Sequence, residues 1–159
     1  MASAKRLVKI DVVSDNICPW CFVGKRRLEK AIAQARQKNL PLDFQVNFKP
    51  FQLDATLPVE GKDKLAHYKS KFGAARMDQM IPFMEGIGKK EGITFSYGGV
   101  IANTINSHRL VALAEKKGLQ DQTVEELFKT YFEKNDNIGD LNVLADVGAK
   151  VGLDKEEVR

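Results

Sequence analysis

Two cysteines stand two residues apart in the segment Cys18-Pro19-Trp20-Cys21, and the 159-residue sequence holds no others. An apolar run typical of a β-strand, Leu7–Val13, precedes them, and an amphipathic run from Pro19 to about Gln37 predicts a helix after them. Proline is favoured in the first turn of a helix, because its missing N–H would have no partner there anyway. We therefore predict Cys18 at the helix N-cap and Cys21 at the third helical position.

A sulfur at the start of a helix is suited to thiol–disulfide exchange. The first N–H groups of a helix are unpaired and carry partial positive charge, so they stabilise a thiolate, which is the form that attacks disulfides. We predict that Cys18, at the exposed helix tip, is the attacking thiol with the lowered pKa and that Cys21 resolves the mixed disulfide. Pro19 tunes the site by removing an N–H donor, and Trp20 offers a flat surface to a partner peptide.

Other interpretations of the cysteine pair are weaker on physical grounds. A structural disulfide across so short a loop would stabilise little. A zinc site needs four ligands, and the two histidines, His67 and His108, form no paired motif with the cysteines, so we predict no metal. Two inert buried thiols remain an alternative. His67 has no supporting context, and we predict it at the surface.

The composition is that of an ordinary globular domain, with 43% hydrophobic and 29% charged residues. The net charge of +4 comes from basic residues spread among acids, which does not favour nucleic-acid binding. The run Lys25-Arg26-Arg27 is predicted either to face solvent or to raise the electrostatic potential around Cys18. No apolar run approaches the ~20 residues of a membrane span, and no signal-like segment is visible, so we expect a cytoplasmic protein without membrane contact.

The apolar pattern predicts a β-α-β unit followed by helices. Leu42–Lys49 alternates like a second strand, and a strand-helix-strand run of this length predicts parallel strands with the cysteines at the carboxyl end of the first. Further helices are predicted over residues 62–71 and 74–90, with Pro82 kinking or splitting the second, and a short extended piece is expected around 93–95. Later helix starts are predicted at Asn103 or Thr104, Asp121, Asp140 and Asp154.

Several segments resemble one family. Ile10–Gly24 resembles the active-site region of the DsbA-like thioredoxin superfamily, and it is most similar to the FrnE-type branch of dithiol oxidoreductases. Lys49–Leu53, Asn103–Leu110 and Gly152–Val158 resemble further parts of that branch. The resemblance implies an α/β, thioredoxin-like (DsbA-type) fold with an inserted α-helical domain. Residues 1–61 would form the N-terminal βαβ half with the active site, and residues 62–159 the helical insertion.

The resemblance also implies further site residues, because the inserted domain of this family packs across the active site. It makes Asn103, Thr104, His108 and Arg109 candidates for substrate binding. His108 would be a proton donor or hydrogen-bonding group over the sulfurs, or else a surface or capping residue. After the insertion, the family continues with a cis-proline loop, two antiparallel strands and a helix. No proline follows Pro82, so we expect the C-terminal part of the thioredoxin unit to be missing, through truncation or because another chain supplies it.

The function implied is thiol–disulfide exchange with a protein or a small-molecule thiol. The redox-active dithiol would need no cofactor, with glutathione as an optional co-substrate, and a homo-oligomer is left open. One alternative is a glutathione-dependent isomerase or transferase, similar to 2-hydroxychromene-2-carboxylate isomerases and kappa-class transferases. Those proteins usually carry serine where Cys18 stands, and the two cysteines favour the dithiol branch. The other alternative is a non-catalytic, truncated binding module.

Overall fold

A parallel β-α-β unit opens the fold in the computed structural model, which describes residues 4–159. Strands β1 (Arg6–Ser14) and β2 (Leu42–Pro50) are joined by helix α1 (Pro19–Gln37). The two strands pair in parallel from Arg6 opposite Leu42 to Ser14 opposite Pro50. This is the crossover predicted from the sequence, and it brings the start of α1 to the carboxyl end of β1.

The rest of the described chain is mostly helical. Its elements are β3 (Lys62–Asp63), α2 (Lys64–Phe72), α3 (Ala74–Lys90), β4 (Val100–Ile101), α4 (Ile105–Lys116), α5 (Gln120–Phe132), α6 (Leu141–Val151) and α7 (Lys155–Val158). Strands β3 and β4 form a short antiparallel pair. Residues 93–95, where a short extended piece was expected, form no strand, and the strand in this part of the chain is β4.

Three predicted helix boundaries are wrong in detail. The first helix after residue 61 begins at Lys64, because residues 62–63 pair with β4 and the Asp63 carboxylate caps the helix by accepting from the Ala66 N–H at 2.7 Å. Helix α5 begins at Gln120, so Asp121 is not its cap and lies in its first turn. Helix α3 runs unbroken past Pro82, so of the predicted kink or split the split is wrong. Buried Met77 and Met84 anchor it on both sides of the proline.

A cluster of aromatic rings joins α1 to the helical part. Phe22, which follows Cys21 directly, is fully buried and stacks on Phe128 of α5 with ring centroids 4.9 Å apart. Phe132 and Phe95 complete the cluster, the latter meeting Phe22 edge-on at 6.2 Å. Such contacts are favourable beyond the area they bury. They hold the beginning of α1, and with it the cysteines, against the helices.

The basic run of α1 has a structural role that neither sequence interpretation anticipated. Lys25 is buried, with only 3% of its surface exposed, and it forms ion pairs with Glu29, with Asp121 at 3.3 Å and with Glu125 at 3.0 Å. The neighbouring Arg26 also bonds to Glu125. Lys25 and Arg26 thus tie α1 to α5, whereas Arg27 is exposed, as the solvent-facing interpretation predicted.

The architecture is mixed α/β and predominantly helical, as expected for the DsbA-type thioredoxin fold with a helical insertion. Residues 4–159 contain no cis peptide bond, so the described chain holds no cis-proline loop. None of the described helices combines the length and the apolar character needed to cross a membrane.

Candidate active site

The cysteines lie where the sequence predicted. Cys18 occupies the N-cap of α1, Pro19 is the first helical residue, and Cys21 follows one turn in. The Cys18 N–H donates to the Asp15 carbonyl at 3.1 Å, and the Cys21 N–H donates to the Cys18 carbonyl at 3.1 Å, so the turn between β1 and α1 is fixed by its backbone. Both thiols are free and half-buried.

The two thiols titrate as a pair. The neighbouring Cys18 thiol lowers the pKa of Cys21 to about 6, whereas Cys21 and burial raise the pKa of Cys18. That Cys18 is the thiol with the lowered pKa stays a prediction. The N–H groups of Cys21 and Trp20 favour a thiolate on Cys18, although neither makes a capping hydrogen bond to it. The pair as a whole loses its first proton more easily than a free cysteine.

Ser14, the last residue of β1, contributes to the low pKa of the pair. Its hydroxyl is buried and makes no geometric hydrogen bond among the described residues, and its presence near Cys21 lowers the pKa of that thiol. No pattern in the sequence singled out this serine, because its role depends on how the strand end meets the helix.

A cavity of about 250 Å³ opens beside Cys18 and is mostly apolar. Cys18, Pro19 and Trp20 line it, whereas Cys21 does not. Most of its other lining residues come from the loop after β2 and from helices α2 and α3, among them Leu53, Leu57, Phe72, Met77, Met80 and Met84, and the remainder are Ile17, Ser96, Tyr97, Ile101 and Phe132. A ligand in this cavity would meet Cys18 first. Pro19 and Trp20 thus lie in the wall that a bound molecule would contact.

The carboxylate of Asp15 holds the loop and α4 against the cysteine turn. Asp15 is only 2% exposed, and it accepts hydrogen bonds from the N–H groups of Asn16 at 2.9 Å and Leu53 at 2.8 Å. The third partner is Nε2 of His108 at 3.0 Å, a nitrogen that also lies 2.9 Å from the Phe51 carbonyl. Because both of these neighbours are acceptors, Nε2 carries the hydrogen.

The other residues predicted to bind substrate do not line the cavity. Asn103 bonds to Gln52 at 2.9 Å and to the Ala55 carbonyl at 3.0 Å, and it also accepts from the Ile105 N–H. Thr104 is buried behind Gln52, and Arg109 is exposed on the outer side of α4. Asn103, Thr104 and His108 therefore support the loop that carries Leu53 and Leu57. His108 is buried on a carboxylate, which excludes the surface interpretation, and does not reach over the sulfurs.

The lining of the same cavity contains a lysine whose burial was not predicted from the sequence. Lys64 is 1% exposed, and its Nζ donates to the Tyr131 carbonyl at 2.8 Å and lies 3.9 Å from the centre of the Tyr131 ring. No carboxylate in the described chain pairs with it. His67, predicted at the surface, is half-buried and lines the same cavity.

The buried charge of Lys64 predicts a pH-dependent stability. Burial lowers the pKa of Lys64 from 10.5 to about 8, so between these values the unfolded chain binds a proton that the folded chain does not. The free energy of unfolding should therefore rise with pH across that window, by about 2–3 kcal/mol from this group. Urea unfolding at a series of pH values would measure the slope. The Lys64→Met variant should flatten it, and exposed Lys62→Met should leave it intact. An unchanged slope in Lys64→Met would contradict the prediction.

No group of three or more histidine, cysteine, aspartate or glutamate side chains in residues 4–159 is placed to hold a metal ion.

A Cys-X-X-Cys pair at the junction of β1 and α1, together with a helical insertion, is typical of thioredoxin-like proteins. Residues 9–159 match the model of the DSBA-like thioredoxin domain, and the chain belongs to that family. It is 26% identical over 156 residues to YwbO of Bacillus subtilis, a protein without assigned function, covering 92% of this chain and 68% of YwbO.

Solved structures agree with this assignment. A probable DsbA oxidoreductase of Streptomyces coelicolor, SCO1869, superposes with a TM-score of 0.85 at 26% identity, covering 95% of this chain and 65% of SCO1869. The cytosolic disulfide reductase DsbM of Pseudomonas aeruginosa, also solved with glutathione, shares the fold with a TM-score of 0.61 at 20% identity, covering 92% of this chain and 65% of DsbM. The chain thus spans about two thirds of the length of the proteins it matches.

Proposed function

We propose that this protein is a thiol–disulfide oxidoreductase in which Cys18 attacks the substrate and Cys21 resolves the mixed disulfide. The observation that carries the proposal is the pair of free cysteines at the start of α1, of which only Cys18 borders the cavity. A substrate disulfide can reach Cys18 from the cavity, and Cys21 lies within reach from the protein side to displace it.

The chemistry needs no further group. A Cys18 thiolate forms a bond to one sulfur of the substrate disulfide, whose S–S bond breaks and releases one thiolate. Cys21 then attacks the Cys18 sulfur, which forms the Cys18–Cys21 disulfide and releases the second thiolate. The low first pKa of the pair keeps one sulfur ionised at neutral pH.

Two measurements on the same preparation test the proposal. Alkylation with iodoacetamide as a function of pH should follow a midpoint near the pKa of about 6 rather than that of free cysteine. Equilibration with graded thiol–disulfide buffers, followed by mass spectrometry, should show a reversible Cys18–Cys21 disulfide. Two thiols that titrate like free cysteine and form no such disulfide would contradict the proposal and favour the non-catalytic binding module.

A second candidate is a glutathione-dependent isomerase or transferase, and the cavity beside Cys18 is the feature that favours it. Lys64, Lys71 and His67 lie in a wall with one carboxylate, Asp54, so an acidic thiol could be held near Cys18. In that activity Cys18 would orient glutathione and would not cycle through a disulfide. The requirement for Cys21 separates the two candidates.

The FrnE-type assignment and a cytoplasmic location belong to the same proposal. They are supported by the Cys-Pro-Trp-Cys segment and by the likeness of the fold to a cytosolic reductase. The exchange partner would be a protein or a small thiol.

A further inference from the structure

Tyr68 lines the cavity beside Cys18, and its hydroxyl is bonded to a second tyrosine. Tyr68, on α2, is half-buried and lines the cavity together with Cys18. Its hydroxyl oxygen is 2.9 Å from the hydroxyl oxygen of Tyr131, a residue that is fully buried. No other hydrogen bond is made by either hydroxyl in the described chain.

The number of hydrogens determines which tyrosine donates. Each hydroxyl has one hydrogen, and the bond between the two uses only one of them. If Tyr68 were the donor, the hydrogen of Tyr131 would be buried without an acceptor, at a cost of about 1–3 kcal/mol. With Tyr131 as the donor, the remaining hydrogen belongs to Tyr68, which borders the cavity, where a ligand can accept it.

Lys64 favours the same direction of the hydrogen bond between the two tyrosines. Its ammonium group lies 3.9 Å from the centre of the Tyr131 ring and draws electron density from it. The Tyr131 hydroxyl is therefore a better donor and a poorer acceptor than an ordinary tyrosine. Lys64, Tyr131 and Tyr68 form a chain that ends with a free O–H on the cavity side.

We propose that the Tyr68 hydroxyl donates a hydrogen bond to the sulfur that leaves when Cys18 attacks a disulfide. The inference rests on the proposed function and names a further catalytic residue for it. In the attack, the new Cys18–S bond forms in line with the S–S bond that breaks. The leaving sulfur then lies about 4 Å beyond Cys18, and Tyr68 lines the cavity that borders Cys18.

The tyrosine stabilises the leaving thiolate without giving up its proton. Burial raises the pKa of Tyr68 to about 12, with the charge of Cys18 as a further contribution, whereas thiols ionise near 8.5. The leaving sulfur therefore departs as a thiolate and takes its proton from water. A hydrogen bond to a developing anion accelerates the step that forms the anion.

The test compares Tyr68→Phe with the wild-type chain in three reactions. Single-turnover exchange with bis(2-hydroxyethyl) disulfide releases a weakly acidic thiol, and exchange with dithiobis(nitrobenzoate) releases a strongly acidic one. Iodoacetamide alkylation uses the same Cys18–Cys21 nucleophile but has no leaving sulfur. We expect Tyr68→Phe to slow the first reaction about tenfold, the second by less than about twofold, and the third not at all, because a basic leaving thiolate gains most from a donor.

Tyr131→Phe provides a second variant, in which the Tyr68 hydroxyl keeps its hydrogen and loses the hydrogen bond from Tyr131 that positions it. Exchange with the hydroxyethyl disulfide should then fall by less than in Tyr68→Phe. Equal losses in all three reactions would show that Tyr68 acts on the nucleophile or on folding, and would overturn the inference, as would no loss at all. A wild-type chain that is alkylated but exchanges with neither disulfide would overturn the proposed function and the inference with it.

Discussion

The Cys21→Ser variant should stop after one half-reaction, with the substrate held on Cys18 as a stable mixed disulfide. Cys18 can still attack, but no second thiol remains to displace the substrate, so we expect turnover to fall about a hundredfold or more. Mass spectrometry of the variant after exposure to a disulfide would show the adduct, and a coupled assay of disulfide reduction would show the lost turnover.

Cys18→Ser is the matched control for this trap. It makes the same replacement of sulfur by oxygen in the other cysteine. It should form no adduct, because the remaining thiol, Cys21, does not border the cavity. An adduct on Cys21 in this variant would reverse the assigned roles. Full turnover in Cys21→Ser would instead identify the glutathione-dependent isomerase or transferase, in which only Cys18 is needed.

The Phe22→Ala variant should lose about 3–5 kcal/mol of the free energy of unfolding. Phe22 is fully buried and stacks on Phe128, so its removal leaves a cavity between α1 and α5 directly behind the cysteines. Natural domains are stable by only about 5–15 kcal/mol, so this single change removes a large share. Urea unfolding followed by circular dichroism would measure it.

Phe83→Ala controls for the amino-acid change itself. Phe83 is 56% exposed, and its removal should shift the free energy of unfolding by no more than about 0.5 kcal/mol. The Phe22→Leu variant should lie between the two, because leucine fills part of the space. Equal stability of the two alanine variants would show that the aromatic cluster does not hold α1 in place.

The placement of the cysteines could be predicted because local rules determine it. Proline in the first turn fixes where α1 begins, and the alternation of the flanking segments predicts the parallel strands around it. Both depend on neighbouring residues in the sequence. The same local rules wrongly allowed a split of the helix at Pro82. Helix α3 is continuous there, with Met77 and Met84 buried on both sides of the proline.

The remainder of the site was beyond sequence reasoning because its contacts join distant segments. Asp15 and His108 are 93 residues apart, Lys64 and Tyr131 are 67 apart, and Tyr68 and Tyr131 are 63 apart. No spacing rule relates such positions. Lys64 also lies in a polar run, Gly61-Lys62-Asp63-Lys64, in which a lysine is ordinarily exposed.

The buried carboxylate of Asp15 limits how sequences of this type can diverge. It accepts from the backbone N–H groups of Asn16 and Leu53 and from the His108 ring at once, so replacing Asp15 leaves three donors without this acceptor, and replacing His108 removes one of its donors. Stepwise drift at these positions is therefore costly. Homologues that depart from this arrangement should do so by exchanging aspartate and histidine together, a correlated replacement visible in their aligned sequences.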